Sequence, residues 1–366
     1  MQSLSQCQRT RPNLEKTQPM TSNTRNVQPV ITSFRSSYPA LLADAWTQHL
    51  ALRAPDAPTV ISLFAGCGGS SLGYSMAGYR ELLAVEWDDN AVETFKLNFP
   101  EVPVYHGDIT KLSMEDVLAR TGLQPEELDV LDGSPPCQGF STAGKREMGD
   151  SRNQLFREYV RLLRGLRPKV FVMENVSGMV KGKMKLIFVE ILKELKASGY
   201  KVSVRLMNAM YFHVPQSRQR LIFIGVREDM GKAPSHPAPK TRPTTVSDAW
   251  HGLTIDRTGC LLTPLYQRYW VAAGQGGTVG AMNSMKRLRL NAPAPTIVKS
   301  EGNGGLYHPT EMRALSHGEF KRLGSWPDAF TFTGSKKDRQ ERIGNSVPPL
   351  FMRAIAQHIR EHILKS

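Results

Sequence analysis

The sequence predicts an α/β protein whose mostly parallel sheet is followed by a smaller, irregular lobe. Short apolar runs alternate with helix-length amphipathic stretches from Thr59 to about Ala197, the signature of strands joined by crossover helices. The first run ends in a glycine-rich turn, Phe64-Ala65-Gly66-Cys67-Gly68-Gly69. From about Gly231 the alternation stops, and Pro, Gly, Thr and Arg dominate up to about residue 310.

The strand candidates are residues 59–64, 82–85, 128–131 and 170–173, with helices expected around 152–166 and 185–197. Two further runs, 202–206 and 221–224, have no helix-length segment between them. They should pair antiparallel and put an antiparallel strand at the sheet edge. Residues 348–364 read as an amphipathic helix, as do 39–53. The first 38 residues are rich in Gln, Ser, Thr, Asn and Pro. Such a segment buries too little apolar surface to offset its ordering entropy, so it is expected to be disordered. The domain reading is an extension over 1–57, a catalytic body over 58–230, a second lobe over 231–340, and a segment over 341–366 that returns to the body.

Composition narrows the partners. The chain has 366 residues, is 40% hydrophobic and carries a formal charge of +14. That excess favours a polyanion, because Lys and Arg that neutralise phosphates release counterions. Four cysteines, at 7, 67, 137 and 260, form neither a C-x-x-C pair nor a disulfide framework. The histidines are scattered, so no metal is expected. No run is apolar for long enough to span a bilayer, and the N-terminus does not read as a secretory signal. A soluble, cytoplasmic protein is expected.

Chemistry-bearing residues fall at successive strand ends, where open α/β sheets bind ligands. Gly66 and Gly68 let backbone amides approach a ligand at a helix N-terminus. Glu86 can hold two ribose hydroxyls, and Trp87 can lie against an adenine. Asp108, followed by Ile109, can accept from an adenine amino group. Loop acids also cap helices, and Trp also fills cores; it is the set at three strand ends that points to a nucleoside-like ligand. After the fourth strand, Pro135-Pro136-Cys137-Gln138 fixes a thiol behind two rigid residues. Glu174-Asn175 ends the fifth strand. Alternation should put Gln216, Arg218 and Arg220 on one face.

These residues resemble the ordered motifs of DNA (cytosine-5)-methyltransferases: the Phe64-Ala-Gly-Cys-Gly-Gly turn, Ser134-Pro-Pro-Cys-Gln, Glu174-Asn-Val, the run Gln216-x-Arg218-x-Arg220, and Gly344-Asn345-Ser346-Val347-Pro348-Pro349. Residues 313–323 resemble a ninth motif, which departs at Gly324-Ser325-Trp326. Ser62 stands where the first motif commonly has Asp.

The resemblance implies a Rossmann-like sheet of the S-adenosylmethionine-dependent methyltransferases, helices on both faces, and a target-recognition lobe. It implies double-stranded DNA as partner and a restriction-modification role beside an endonuclease, with the protein expected to be a monomer. Phe64, Gly66, Gly68, Glu86, Trp87, Asp108, Ile109, Asn345 and Ser346 would form the S-adenosylmethionine pocket. Cys137 would add to carbon 6 of a flipped cytosine, with Glu174, protonated or sharing a proton, at ring nitrogen 3. Arg218 would hold oxygen 2, and Arg220 would orient Glu174 or the backbone nearby. Pro136, Gln138, Ser141, Lys145, Asn175 and Gln216 would contact the substrate. Residues 139–153 would close as a lid. Lys286-Arg287-Leu288-Arg289 could meet phosphate, and residues 274–278 could approach a groove. The alternatives are the family's tRNA-modifying branch and an inactive DNA-binding module. The tRNA branch typically carries a Cys-Phe-Thr tripeptide after Glu-Asn-Val; here Ser177-Gly178-Met179 follows.

Overall fold

The computed structural model describes residues 37–136, 151–180, 182, 184–239, 242–279, 285–299 and 305–365. The disorder expected of the first residues and most of the lid expected over 139–153 fall outside this set; residues 151–153 open a helix instead.

The chain opens with helix α1 (Tyr38–Leu50), capped by the Ser37 hydroxyl, which accepts from Ala40 N. The body then runs β1 (Thr59–Leu63), α2 (Gly69–Met76), β2 (Arg80–Glu86), α3 (Asp89–Asn98), β3 (Val104–His106), α4 (Met114–Thr121) and β4 (Val130–Gly133). It continues through α5 (Ser151–Leu166), β5 (Val170–Val176), α6 (Met184–Ala197), β6 (Tyr200–Asn208), β7 (Gln216–Ser217) and β8 (Gln219–Arg227). Among the described residues, seven strands form one sheet in the order β3-β2-β1-β4-β5-β8-β6.

β1, β2, β3, β4 and β5 pair parallel, and β8 pairs antiparallel with both β5 and β6. The antiparallel strand is therefore not at the edge, which corrects the sequence expectation. After the short connection from β6, β8 folds back between β6 and β5, leaving β6 outermost. Burial agrees: β8 is buried from Leu221 to Arg227, whereas β6 is half covered.

Helices cover both faces. One apolar core joins α1, α2, α3 and a later helix, α11 (Pro349–Ile359), to the sheet; the other joins α4, α5 and α6. Residues 170–173 of β5 are fully buried, each large side chain contributing about 1.5–3 kcal/mol by leaving water. Tyr38, Leu42 and Ala45 of α1 are buried too, and Tyr38 Oη donates to the Arg322 carbonyl at 3.0 Å. The compact body thus begins at α1, not at residue 58.

The second lobe holds α7 (Val246–Trp250), α8 (Pro264–Ala273), β9 (Thr278–Val279), β10 (Met285–Arg287), β11 (Ala294–Pro295), β12 (Leu306–Tyr307) and α9 (His317–Leu323). Strands β12-β10-β9 form a small sheet, and β11 pairs with β7. Its own core is modest: Leu262, Trp270, Met285, Tyr307 and Ala314. Arg287, expected to face phosphate, instead lies over the Trp270 ring at 3.4 Å and donates to the Pro309 carbonyl. The departure from the ninth motif is absorbed by packing: Trp326 is buried against Phe330 and Phe332, ring centroids 4.4 and 5.0 Å away.

The chain ends with α10 (Lys336–Asn345) and α11 (Pro349–Ile359). A Cβ on Gly73 would lie 2.6 Å from Met352 Cβ, and one on Gly69 would collide with the Val347 carbonyl. Glycines in α2 thus let the C-terminal segment seat directly against it.

Candidate active site

Strand order reverses between β1 and β4, which opens a crevice at the carboxyl edge of the sheet. The glycine turn lies there. Gly66 and Gly68 have φ of 57° and 95°, and Phe64, at 57°, is strained in a region that side chains rarely adopt.

Glu86, at the end of β2, is buried and held by three backbone donors. Its Oε2 accepts from Gly66 N at 2.7 Å; its Oε1 accepts from Trp87 N at 2.9 Å and Asp88 N at 3.0 Å. A carboxylate offers about four acceptor sites, so one edge stays available to a diol. Trp87 is 76% exposed and is no core residue; its indole is free to stack. Asp108 is exposed at the end of β3, its Oδ1 accepting from Thr110 N at 3.0 Å. That backbone donor holds the Asp108 carboxyl below its ordinary range. The Ile109 side chain is buried in the core, so only its backbone remains for a ligand.

The C-terminal segment supplies the remaining wall. The Ser346 hydroxyl donates to the Arg342 carbonyl at 2.6 Å and sits 3.4 Å from Cys67 Sγ. Asn345 is exposed beside it. Cys67 itself is buried, and burial pushes its thiol up to about 12, so it is an inert packing residue. Gly66, Gly68, Glu86, Trp87 and Ser346 together fit a nucleoside carrying a ribose diol.

At the reacting end, β4 leads into Ser134-Pro135-Pro136. Pro135 is buried and Pro136 exposed. Cys137, Gln138, Ser141 and Lys145 lie outside the described residues. Asn175, expected to meet substrate, is buried under this turn: its Nδ2 donates to the Pro135 carbonyl at 3.3 Å and its Oδ1 accepts from Val176 N.

Glu174 is buried at the end of β5, with Oε1 2.6 Å from Arg220 Nε. The register explains the contact. Val176 of β5 faces Arg220 of β8, so Glu174 is its diagonal neighbour, within reach of a long side chain.

Gln216, Arg218 and Arg220 do not share one target. Gln216 Nε2 donates to the Leu323 carbonyl and Oε1 accepts from Ile297 N; both ends of the amide serve the second lobe. Arg218 Nη1 donates to the Ile297 carbonyl at 3.2 Å, and its buried Nε has no partner among the described residues. Burial and the charge of Arg220 pull Arg218 down to about 9. The chain switches from β7 to β8 at Arg218, so strict alternation fails there. Arg220 lies beside Glu174, the arrangement an orienting role would need.

Two groups escaped the sequence reading. Asp88 caps α3, its Oδ1 accepting from Ala91 N at 2.8 Å, and it pairs with Arg342. The order Glu-Trp-Asp before a helix was the available signal for the cap. Arg342 had none, because its partner lies 254 residues away. Among the described residues no cluster of His, Cys, Asp and Glu could hold a metal, and no helix is long and apolar enough to cross a membrane.

Comparison with known proteins agrees with this architecture. The profile of C-5 cytosine-specific DNA methylases matches residues 58–255 and 265–361. The chain is 35% identical to the Type II methyltransferase M1.HphI of Haemophilus parahaemolyticus, covering 82% of this chain and 86% of that one. It is 32% identical to M.XorII of Xanthomonas oryzae pv. oryzae, with 84% and 86% covered. A prophage-encoded E. coli protein described as a DNA modification methyltransferase superposes with a TM-score of 0.72 at 28% identity, over 84% of this chain and all of that one. Dnmt2 of S. pombe shares the fold, with a TM-score of 0.62 at 18% identity, over 83% of this chain and 98% of that one. The chain belongs to the C-5 cytosine-specific DNA methylase family, whose methyl donor is S-adenosylmethionine.

Proposed function

We propose that the protein transfers a methyl group to carbon 5 of cytosine in duplex DNA, through a covalent adduct on a flipped base. One observation carries the reading. The largely buried Glu174–Arg220 pair joins the end of β5 to the start of β8 beside the Pro135–Pro136 turn, which Asn175 ties down and which leads straight into Cys137.

Carbon 5 of cytosine is a poor nucleophile until the ring loses its aromaticity. In this account the Cys137 thiolate bonds to carbon 6, and Glu174 holds a proton at ring nitrogen 3, where electron density rises. Arg220 is the guanidinium beside Glu174, which makes it a better candidate for oxygen 2 than Arg218. Arg218 is committed to Ile297 in the second lobe. S-adenosylmethionine, when bound, supplies a methyl on a sulfonium sulfur, an activated donor. Glu86, Trp87, Asp108 and Ser346 would hold it, with Gly66 and Gly68 lining the approach. Loss of the carbon-5 proton then expels the thiolate and frees Cys137. Flipping the base costs a few kcal/mol of unstacking and unpairing, which the +14 chain can offset through phosphate contacts.

The names of the Type II methyltransferase relatives support a modification role, and the setting in this account is a cytoplasmic monomer working beside a restriction endonuclease. The activity is tested by incubating the protein with methyl-tritiated S-adenosylmethionine and either duplex DNA or tRNA, then separating the nucleosides. Label in 5-methyldeoxycytidine is expected. Label only in tRNA, or in another deoxynucleoside, contradicts the reading.

A further inference from the structure

Arg342 sits in the last turn of α10 and touches both sides of the cofactor crevice. Its guanidinium grips Asp88 with two contacts, Nη1–Oδ1 at 2.8 Å and Nη2–Oδ2 at 3.2 Å. The Arg342 side chain is 11% exposed and that of Asp88 35%. Asp88 is joined to Glu86 through its own backbone, whose N–H donates to Glu86 Oε1, and its carboxylate also caps α3. On the other side, the Arg342 carbonyl accepts from the Ser346 hydroxyl, which meets Cys67 of the glycine turn. Three segments far apart in sequence, residues 66–69, 86–88 and 342–346, therefore converge on one side chain and its carbonyl.

We infer that Arg342 is a positioning residue for S-adenosylmethionine: it locks the Glu86–Asp88 turn against the C-terminal segment so that Glu86 meets the ribose at a fixed place. This rests on the reading that Glu86 holds the ribose. The two-pronged contact matters, because a planar guanidinium matches both carboxylate oxygens and fixes the orientation of the turn, whereas an ammonium does not. Without it, the turn keeps its backbone bonds to Glu86 but loses its tether to α10. A binding site whose walls must be reordered on each encounter loses affinity without losing the contacts themselves.

Equilibrium binding of S-adenosylhomocysteine and steady-state kinetics on the full chain test this, using Arg342→Gln, Arg342→Lys and Glu86→Ala. Arg342→Gln is expected to weaken binding and raise KM for S-adenosylmethionine about tenfold, the scale of a lost charged hydrogen bond, with kcat at saturating donor changing less than threefold. Arg342→Lys should fall between, with about a threefold loss. A residue that only stabilised the fold would lower the amount of active protein, and so kcat, while leaving KM alone. If Arg342→Gln binds within twofold of wild type while Glu86→Ala is weakened, Arg342 does not position the donor, and the pocket stands. If Glu86→Ala binds normally, the pocket reading fails and the inference with it. Should Arg342→Gln not fold, Arg342→Lys decides alone: unchanged affinity and KM overturn the inference.

Discussion

Two buried guanidinium–carboxylate pairs stand in different regions of this molecule, and they are built differently. In the second lobe Arg313 holds Glu319 through both oxygens, at 2.7 and 2.8 Å, and Ser316 N adds a third donor at 2.7 Å. Glu319 is fully buried, so no ligand reaches its remaining acceptor site. At the sheet edge Glu174 meets Arg220 through a single contact among the described residues, at 2.6 Å, and both side chains keep about a tenth of their surface exposed. A pair sealed from solvent holds a lobe together. A pair beside an opening can hold a substrate. The same two residue types thus separate into structure and chemistry according to whether an opening reaches them.

The comparison breaks most sharply under substitution of the two acids. Glu174→Gln should cut methyl transfer by about a thousandfold or more, with a melting temperature close to wild type, read by tritium transfer and a thermal melt. Glu319→Gln should do the opposite. It removes the more deeply buried of the two carboxylates on Arg313, Glu311 remaining at 2.9 Å, and should cost about 1.5–3 kcal/mol, seen as a lower denaturant midpoint, while turnover per folded molecule holds. If Glu319→Gln silenced turnover without loss of stability, the division between the two pairs would be wrong.

Asp132 extends the comparison to a buried carboxyl whose partners are hydroxyls. Tyr74 Oη donates to its Oδ1 at 3.2 Å, and Ser70 also bonds to it. Burial pushes it up to about 8, with Glu81 and Glu174 adding repulsion, and burial pushes Glu81 up to about 7. In the unfolded chain an aspartate ionises near 3.9. Between those values the folded state keeps a proton that the unfolded state has lost, so the contribution of Asp132 is present below about pH 4 and disappears as pH rises through about 8. The slope is about 1.4 kcal/mol per pH unit for one proton. His49, His236 and His317, pulled down to about 4 by burial, act in the opposite sense between about pH 4 and 6.5. Stability relative to wild type isolates the acid: for Asp132→Asn it should climb from pH 5 to 8 and then level off, in denaturant titrations at each pH. A flat difference would mean that Asp132 is ionised in the folded protein.

A smaller effect belongs to Trp87, an exposed member of the pocket. Trp87→Ala should weaken S-adenosylhomocysteine binding by about 1–2 kcal/mol, the scale of stacking on an aromatic ring, with no change in melting temperature. Equal affinity for wild type and variant would leave Trp87 outside the site.

Much of this was legible in the sequence. Strand ends carrying Glu86, Asp108 and Glu174 announce themselves, because a parallel sheet puts its chemistry where its strands stop. The glycine turn was legible for the same reason: only a tight approach requires Gly66 and Gly68 at positive φ. Pairings across long separations were not. Nothing local marks Arg342 as the partner of Asp88, or Gln216 as the anchor for Ile297. Arg287 looked like a phosphate contact because a run of charges carries no direction; Trp270 supplied one. The place of β8 in the sheet was also hidden, since antiparallel pairing with β6 does not say which of the two lies next to β5.

The central claim is that the sulfur of Cys137 bonds to the cytosine ring. Duplex DNA in which 5-fluorocytosine replaces cytosine blocks the last step, because fluorine cannot leave as a proton does. Incubated with this DNA and S-adenosylmethionine, the wild-type chain should form a complex that survives denaturing electrophoresis, and peptide mass analysis should place the modified nucleotide on Cys137. Cys137→Ala should form none. An adduct on Cys67 or Cys260, or no adduct from a preparation that methylates ordinary DNA, would contradict the account.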